Sequence, residues 1–257
     1  MLKLIDMTNY TTQAINLKSY NLNEADKIVV MYSKDYGLIR CVAKGTKKTT
    51  SKLGGRMETL VANKLFIAKG RNLDVICQAE LIDSFKEIRK DITKLTYAIY
   101  SAELINTFGL ENDINSSDIY DDFFENLKNI SLSLTDEDIL WTVIRFKLKL
   151  MKHLGYAVEL NNCVKCNTLI QDNSFYFCAE SGGIICRNCQ NKLYKILELD
   201  RDILKIFKDA ADFDYPEQKT NQYLLGSCFD ILKEYVSLRT HKKLKTTELI
   251  GNICQLI

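Results

Sequence analysis

The sequence predicts an α+β chain: a small antiparallel β-barrel first, then an all-helical part that carries a four-cysteine zinc module. Three observations lead there. The first 82 residues break into short β-branched and apolar runs separated by turn residues, with no helical period between them. From about residue 88, apolar positions recur every three or four residues. Two CxxC pairs, Cys163/Cys166 and Cys186/Cys189, then interrupt the helical pattern. The expected division is a barrel domain over residues 1–82 and a helical domain over 83–257, with the zinc module at 161–190.

Each element has its own signal. Residues 11–20 are a mixed strand candidate, and Lys27–Ser33 is β-branched and apolar. That run meets a turn at Lys34–Gly37, where the glycine can supply positive φ, and residues 38–43 form the hairpin return. Residues 60–68 and 73–81 are two more strands about a turn at Lys69–Asn72. Leu95, Ile99, Ala102, Ile105 and Phe108 outline a helix ending near Gly109. A second helix covers about 119–132. Asp136 or Thr135 caps a third, whose apolar face is Leu140, Val143, Ile144, Leu148, Met151 and Leu154, and Gly155 stops it. Further helices are expected at about 199–211 and 222–241.

Composition narrows the class. The 257 residues are 46% hydrophobic and 26% charged, as in globular domains, which excludes wholesale disorder. No run approaches the roughly 20 apolar residues of a membrane span. The N-terminal residues show neither an apolar core nor a small-residue cleavage site, so a secreted origin is not expected. A single proline argues for units packed without long proline-rich linkers.

The net charge of +2 names no partner, but its distribution does. Residues 40–72 hold nine bases against the single acid Glu58, a net of +8. Residues 111–138 hold nine acids against Lys128, a net of −8.

The nine cysteines do not read as a disulfide framework, because the count is odd and four fall in CxxC pairs nineteen residues apart. Each pair puts two sulfurs on one side of a tight turn, and two such turns close a tetrahedron. The expected cofactor is one zinc ion bound by Cys163, Cys166, Cys186 and Cys189, and its role is structural, since four thiolates leave no position for an activated water. The alternative is a pair of redox CxxC motifs. Lys165 and Arg187 lie inside the turns and can offset the charge of the thiolates, and Gly182-Gly183 suits a hairpin entering the second one. Cys178 is read as a strand residue, and Cys41, Cys77, Cys228 and Cys254 as small core residues.

No catalytic apparatus is apparent. His153, near a helix C-terminus, suits the helix dipole, and His241 belongs to a basic face. Walker, GxSxG and GxGxxG patterns are missing from the sequence. The acids of 111–138 read as a solvated face, with a two-metal carboxylate site as the sharper alternative. The basic run after the third strand is the candidate nucleic-acid contact. Lys44, Lys47, Lys48, Lys52 and Arg56 sit among glycines and threonines, so their cations can reach outward from a loop. The plainer alternative is a solubilising loop.

With these residues in view the chain resembles a known family, the bacterial DNA repair protein RecO. The likeness runs through Asp35–Ile39, Ala43–Gly45, Lys47-Lys48, Ser51–Leu53, Tyr100–Leu104 and Phe146–Tyr156. It continues through the two cysteine pairs, Phe175 and Gly182-Gly183. Where the family usually has glycine after the first pair this chain has Asn167, which can also take the left-handed conformation. The resemblance implies an OB-fold barrel, a helical body and the zinc module. It also implies a non-enzymatic recombination mediator that binds single- and double-stranded DNA, anneals complementary strands and helps load RecA with RecR. Its other partner is the single-stranded DNA-binding protein. A cytoplasmic, nucleoid-associated protein that is monomeric on its own follows, without membrane contact. The competing readings are a zinc-ribbon factor that binds RNA or a polymerase, and a nuclease or nucleotidyl transferase using the 111–138 acids. The acidic, apolar tail of the single-stranded DNA-binding protein is expected to dock among Lys233, Arg239, Lys242, Lys243 and Lys245 of the C-terminal helices.

Overall fold

The structure, a computed structural model, describes residues 9–48, 51–170, 175–190, 196–212, 221–240 and 242–254. The chain forms two compact units, residues 1–131 with 246–257, and residues 132–245.

The first unit is built on a closed five-stranded barrel. Its strands are β1 (Tyr10–Asn21), β2 (Lys27–Ser33), β3 (Gly37–Ala43), β4 (Ala62–Ala68) and β5 (Asp74–Asp83), in the order β1-β2-β3-β5-β4. β3 and β5 close it in parallel at Cys41↔Asp74 and Val42↔Val75, and the other pairs are antiparallel. This is an OB-like barrel. Closure removes the sheet edges that would otherwise template aggregation. Its interior is Ala14, Val29, Met31, Cys41, Ala43, Met57, Leu65, Ile67 and Ile76, all close to fully buried.

Two helices of the same unit follow, α1 (Ile92–Phe108) and α2 (Ser116–Leu132). Asp91 caps α1 by accepting from the backbone N–H of Lys94. α1 packs on β1 and β2, and the C-terminal helix α6 (Thr246–Cys254) lies against it. Thr246 donates from its N–H and hydroxyl to Glu103 of α1. Because α1 is covered on several sides, its buried set is broader than the expected stripe. Tyr97, Ala98, Tyr100 and Leu104 are buried with Ala102 and Ile105, while Leu95, Ile99 and Phe108 are only partly so.

The second unit holds α3 (Asp136–His153), α4 (Arg201–Asp212) and α5 (Gln222–Ser237), packed on one another, with a small sheet of β6 (Phe175–Cys178), β7 (Gly183–Cys186) and β8 (Leu197–Leu199). Thr135 caps α3 in a full capping box with Asp138. Beyond α3, Gly155 takes φ +78° and turns the chain. Lys147 of α3 is fully buried, its amine 2.9 Å from the Phe229 carbonyl and over that residue's ring. Burial drives its pKa well below the usual lysine value.

Several sequence expectations are corrected. The helix expected at about 199–211 is α4, Arg201–Asp212, and just before it residues 197–199 form the unexpected strand β8, which pairs with β6 at Tyr176↔Glu198. Cys77 is exposed on β5, while Cys41 and Cys228 are core residues as expected. Helix α6 was not expected at all. His241 and the side chain of Cys254 lie outside the described residues.

Candidate metal centre and nucleic-acid interface

The two cysteine turns are brought together by backbone pairing. β6 and β7 form a hairpin whose turn uses Gly182 at φ +90°. Gly183 passes so close to Glu159 that a Cβ there would lie 2.4 Å from its carbonyl oxygen. The segment before the first cysteine runs along the outer side of β7, where Ile184 donates to Glu159 and Val164 to Ile184. β7 then leads straight into Cys186, so docking the first turn on β7 fixes both turns in one place. The first turn itself closes by Asn167 N–H donating to the Cys163 carbonyl at 2.8 Å, with Asn167 at φ +58°.

The Sγ atoms of Cys163, Cys166, Cys186 and Cys189 all lie within 4.8 Å of one another, and Cys166 and Cys186 are 3.7 Å apart. A tetrahedron with metal–sulfur bonds near 2.3 Å has sulfur–sulfur edges of about 3.8 Å, so the donor set fits a single four-thiolate ion. The protonation pattern agrees. The Thr168 hydroxyl and backbone N–H hold the Cys166 thiol down to about 6. Burial opposes ionisation of Cys163, but N–H groups of Cys186, Cys166 and Lys165 outweigh it and lower its pKa. Cys189 shares hydrogen bonds with Cys166 and Cys186 and is pushed up to about 12. Four sulfurs this close cannot all ionise alone, and a divalent cation is what removes the last proton. Cys178 stands apart from the cluster, buried in β6 with its sulfur 3.2 Å from the Ser181 hydroxyl.

The basic loop leaves the barrel after β3. Asp26 accepts from the Gly45 N–H at 2.7 Å, and this bond, with the Asn23 amide, holds its carboxyl below the usual range. Lys47 donates from its amine to the Asn23 carbonyl and from its N–H to the Ala25 carbonyl. The far end of the loop is clamped from inside. Asn16 donates to the Arg56 and Glu58 carbonyls and Asn63 to the Arg56 carbonyl, while Met57 fills the barrel core.

Lys44, Lys47, Lys48 and Lys52 are exposed. Arg56 is turned inward, its guanidinium donating to the Ala79 carbonyl. The clamping residues Asn16, Asn63 and Asp26 were not singled out from sequence. For Asn16 and Asn63 the available signal was a polar residue at a core position of an apolar strand, while Asp26 lies in the β1–β2 turn and gave none. The acidic block also meets barrel cations within this unit, Arg40 of the basic block through Arg40–Glu111 at 2.6 Å and Lys34 of the β2–β3 turn through Lys34–Asp121 at 2.8 Å. Part of the acidic segment therefore neutralises barrel cations instead of facing only solvent.

Among the C-terminal residues considered for a partner's tail, Arg239 lies over the Tyr235 ring and donates to the Ala179 carbonyl in the β6–β7 turn. Lys233 pairs with Asp230. Lys242, Lys243 and Lys245 are exposed. No helix among the described residues is long and apolar enough to cross a membrane.

The sequence profile described as recombination protein O N terminal matches residues 7–85, and the one described as recombination protein O C terminal matches residues 89–248. The chain belongs to the RecO family. The DNA repair protein RecO of Desulforamulus reducens is 31% identical over 251 residues, 96% of each chain. That of Thermoanaerobacter sp. is 34% identical over 248 residues, 94% of this chain and 97% of the relative. That of Pelotomaculum thermopropionicum is 26% identical over 252 residues. Membership in the RecO family places this OB-like barrel and helical body in DNA repair and recombination.

Proposed function

We propose that this RecO-family chain is a non-enzymatic recombination mediator that binds single- and double-stranded DNA through the basic barrel loop. It anneals complementary strands and, with RecR, helps load RecA onto DNA covered by the single-stranded DNA-binding protein. One observation carries the reading: four lysines project from a loop clamped to an OB-like barrel. Annealing needs no active site, because cations lower the repulsion between two phosphate backbones and base pairing supplies the drive. In this reading Lys44, Lys47, Lys48 and Lys52 meet phosphates, and Arg56 chiefly holds the loop's shape. The protein works in the bacterial cytoplasm at the nucleoid, as a monomer until it meets RecR. The partner's acidic tail docks on the second unit near Lys242, Lys243 and Lys245.

Cys163, Cys166, Cys186 and Cys189 hold one zinc ion, which ties the two turns together and does no chemistry, since all four positions are filled. The deciding experiment mixes complementary strands coated with the single-stranded DNA-binding protein and follows duplex formation with this chain, with and without RecR. Annealing no faster than without the chain rejects the proposal.

A further inference from the structure

The barrel carries a second feature beside the basic loop. Register places Tyr20 of β1 opposite Ile28 of β2, and Ile28 opposite Val42 of β3. Directly paired residues share a face. Val29 and Cys41, the next pair along, belong to the barrel interior. Tyr20, Ile28 and Val42 therefore form a row across the outside of three strands. Towards the other end of these strands the paired Ile15 and Tyr32 are fully buried, whereas the Tyr20 end of the row is accessible. Tyr20 is 51% exposed, Leu22 beyond it 47%, and Ile28 and Val42 are partly exposed.

The row is not an isolated apolar patch. Lys18, on the same face, places its amine 5.4 Å from the centre of the Tyr20 ring. The hairpin tip beyond Tyr20 is the segment that Lys47 and Gly45 grip through Asn23, Ala25 and Asp26. An accessible aromatic ring is thereby fixed beside the lysine loop, on the barrel face that OB folds use for oligonucleotides. A duplex has its bases stacked inside and offers this ring nothing. Unpaired bases offer a π-face to it.

We infer that the Tyr20–Ile28–Val42 row is a stacking platform for unpaired bases, and that it gives the protein its preference for single strands while the loop lysines serve single and double strands alike. The inference rests on the loop being the phosphate contact. The test uses the full chain, a single strand carrying 2-aminopurine, and a duplex of equal length. Wild-type protein should quench 2-aminopurine on binding. Tyr20→Ala should abolish the quenching and weaken single-strand binding by about 5- to 150-fold, the equivalent of the usual worth of one stacked base. Its duplex affinity should change less than about twofold, and Tyr20→Phe should behave as wild type. The half-exposed ring makes the substitution tolerable to the fold, and an unchanged circular dichroism melt verifies that. Equal losses on single strand and duplex, or no loss on either, overturn the platform. Wild-type protein that binds neither substrate, or a Lys47→Glu/Lys48→Glu variant that binds both normally, rejects the underlying loop reading instead.

Discussion

Reversing two loop charges, Lys47→Glu together with Lys48→Glu, gives the most direct reading of the DNA contact. Both side chains are exposed, and neither carries the inward clamp, which is made by Asn16, Asn63 and the backbone of Arg56 and Glu58. The loop should therefore keep its path, losing one amine contact to the Asn23 carbonyl. Each lysine–phosphate contact on duplex DNA adds about 0.9 to the slope of log K against log salt, and about 0.7 on a single strand. Losing two should flatten the duplex slope by about 1.8 and the single-strand slope by about 1.4. At 0.1 M salt the same relation gives about a 60-fold loss of duplex affinity, and repulsion by the introduced carboxylates adds to it. Fluorescence anisotropy between about 50 and 200 mM salt measures both quantities. The loss should be the same for any base sequence, because phosphates carry none of it. Wild-type slope and affinity in the variant would remove the loop from the site, and a loss confined to particular sequences would refute the phosphate argument.

Three further outcomes are expected. Cys186→Ser should release the zinc and lower the melting temperature of the second unit while leaving DNA affinity through the loop intact, whereas Cys178→Ser should keep full metal content. Elemental analysis and a melt read both, and retained stoichiometric zinc in Cys186→Ser refutes the ligand set. Lys147→Met should remove the pH dependence that the buried amine brings to stability. The folded pKa of Lys147 lies below its unfolded value, so the folded state binds fewer protons between the two, and stability rises with pH across that window. Denaturant titrations should show this rise in wild type and a flatter profile in Lys147→Met, and identical profiles would show that Lys147 stays charged when folded.

Asp74 accepts from Tyr10, Lys69 and the Gly70 N–H, which together outweigh its burial and hold its carboxyl below the usual range. Its contribution is present above the unfolded carboxylate pKa of about 3.9 and is lost as pH falls through the lower folded value. Asp74→Asn should therefore show weaker acid dependence than wild type in this range.

The barrel was legible because its strands obey local rules. Lys27–Ser33 carries β-branched residues between turn signals and became β2 with those same limits. The clustering of Cys163, Cys166, Cys186 and Cys189 was legible for a similar reason, since a CxxC turn is a local structure with a fixed spacing. What the sequence hid is what only tertiary contact decides. Leu197–Leu199 is only three residues, Leu-Glu-Leu, too short for a period of its own, and pairing with β6 is what makes it a strand. Lys147 falls on the apolar stripe of α3, between Ile144 and Met151, but that a lysine would be accepted there depends on α5, which offers the Phe229 carbonyl to its amine. Arg40 and Glu111 stand seventy-one residues apart, so nothing local announces their ion pair. Tyr20 looked like an ordinary strand tyrosine until cross-strand register set it in a row with Ile28 and Val42.

A protein that anneals strands must also let go of bases, and the proposed platform satisfies that condition. Stacking on an aromatic ring is worth about 1–3 kcal/mol per base. Each step of growing duplex returns about 1.4 kcal/mol on average. A row only three residues wide, with one aromatic ring, can engage one or two bases, so about one to five base-pair steps are enough to strip them from it. In the proposed function the loop lysines would keep hold of the phosphates throughout, because their attraction does not depend on whether the bases are paired. Release of the bases without release of the backbone is then a consequence of separating the two contacts on one barrel. A broad aromatic surface would hold the single strand more tightly and slow its pairing. On this argument, adding an aromatic ring to the row, as in Val42→Tyr, should raise single-strand affinity and slow annealing in the same protein.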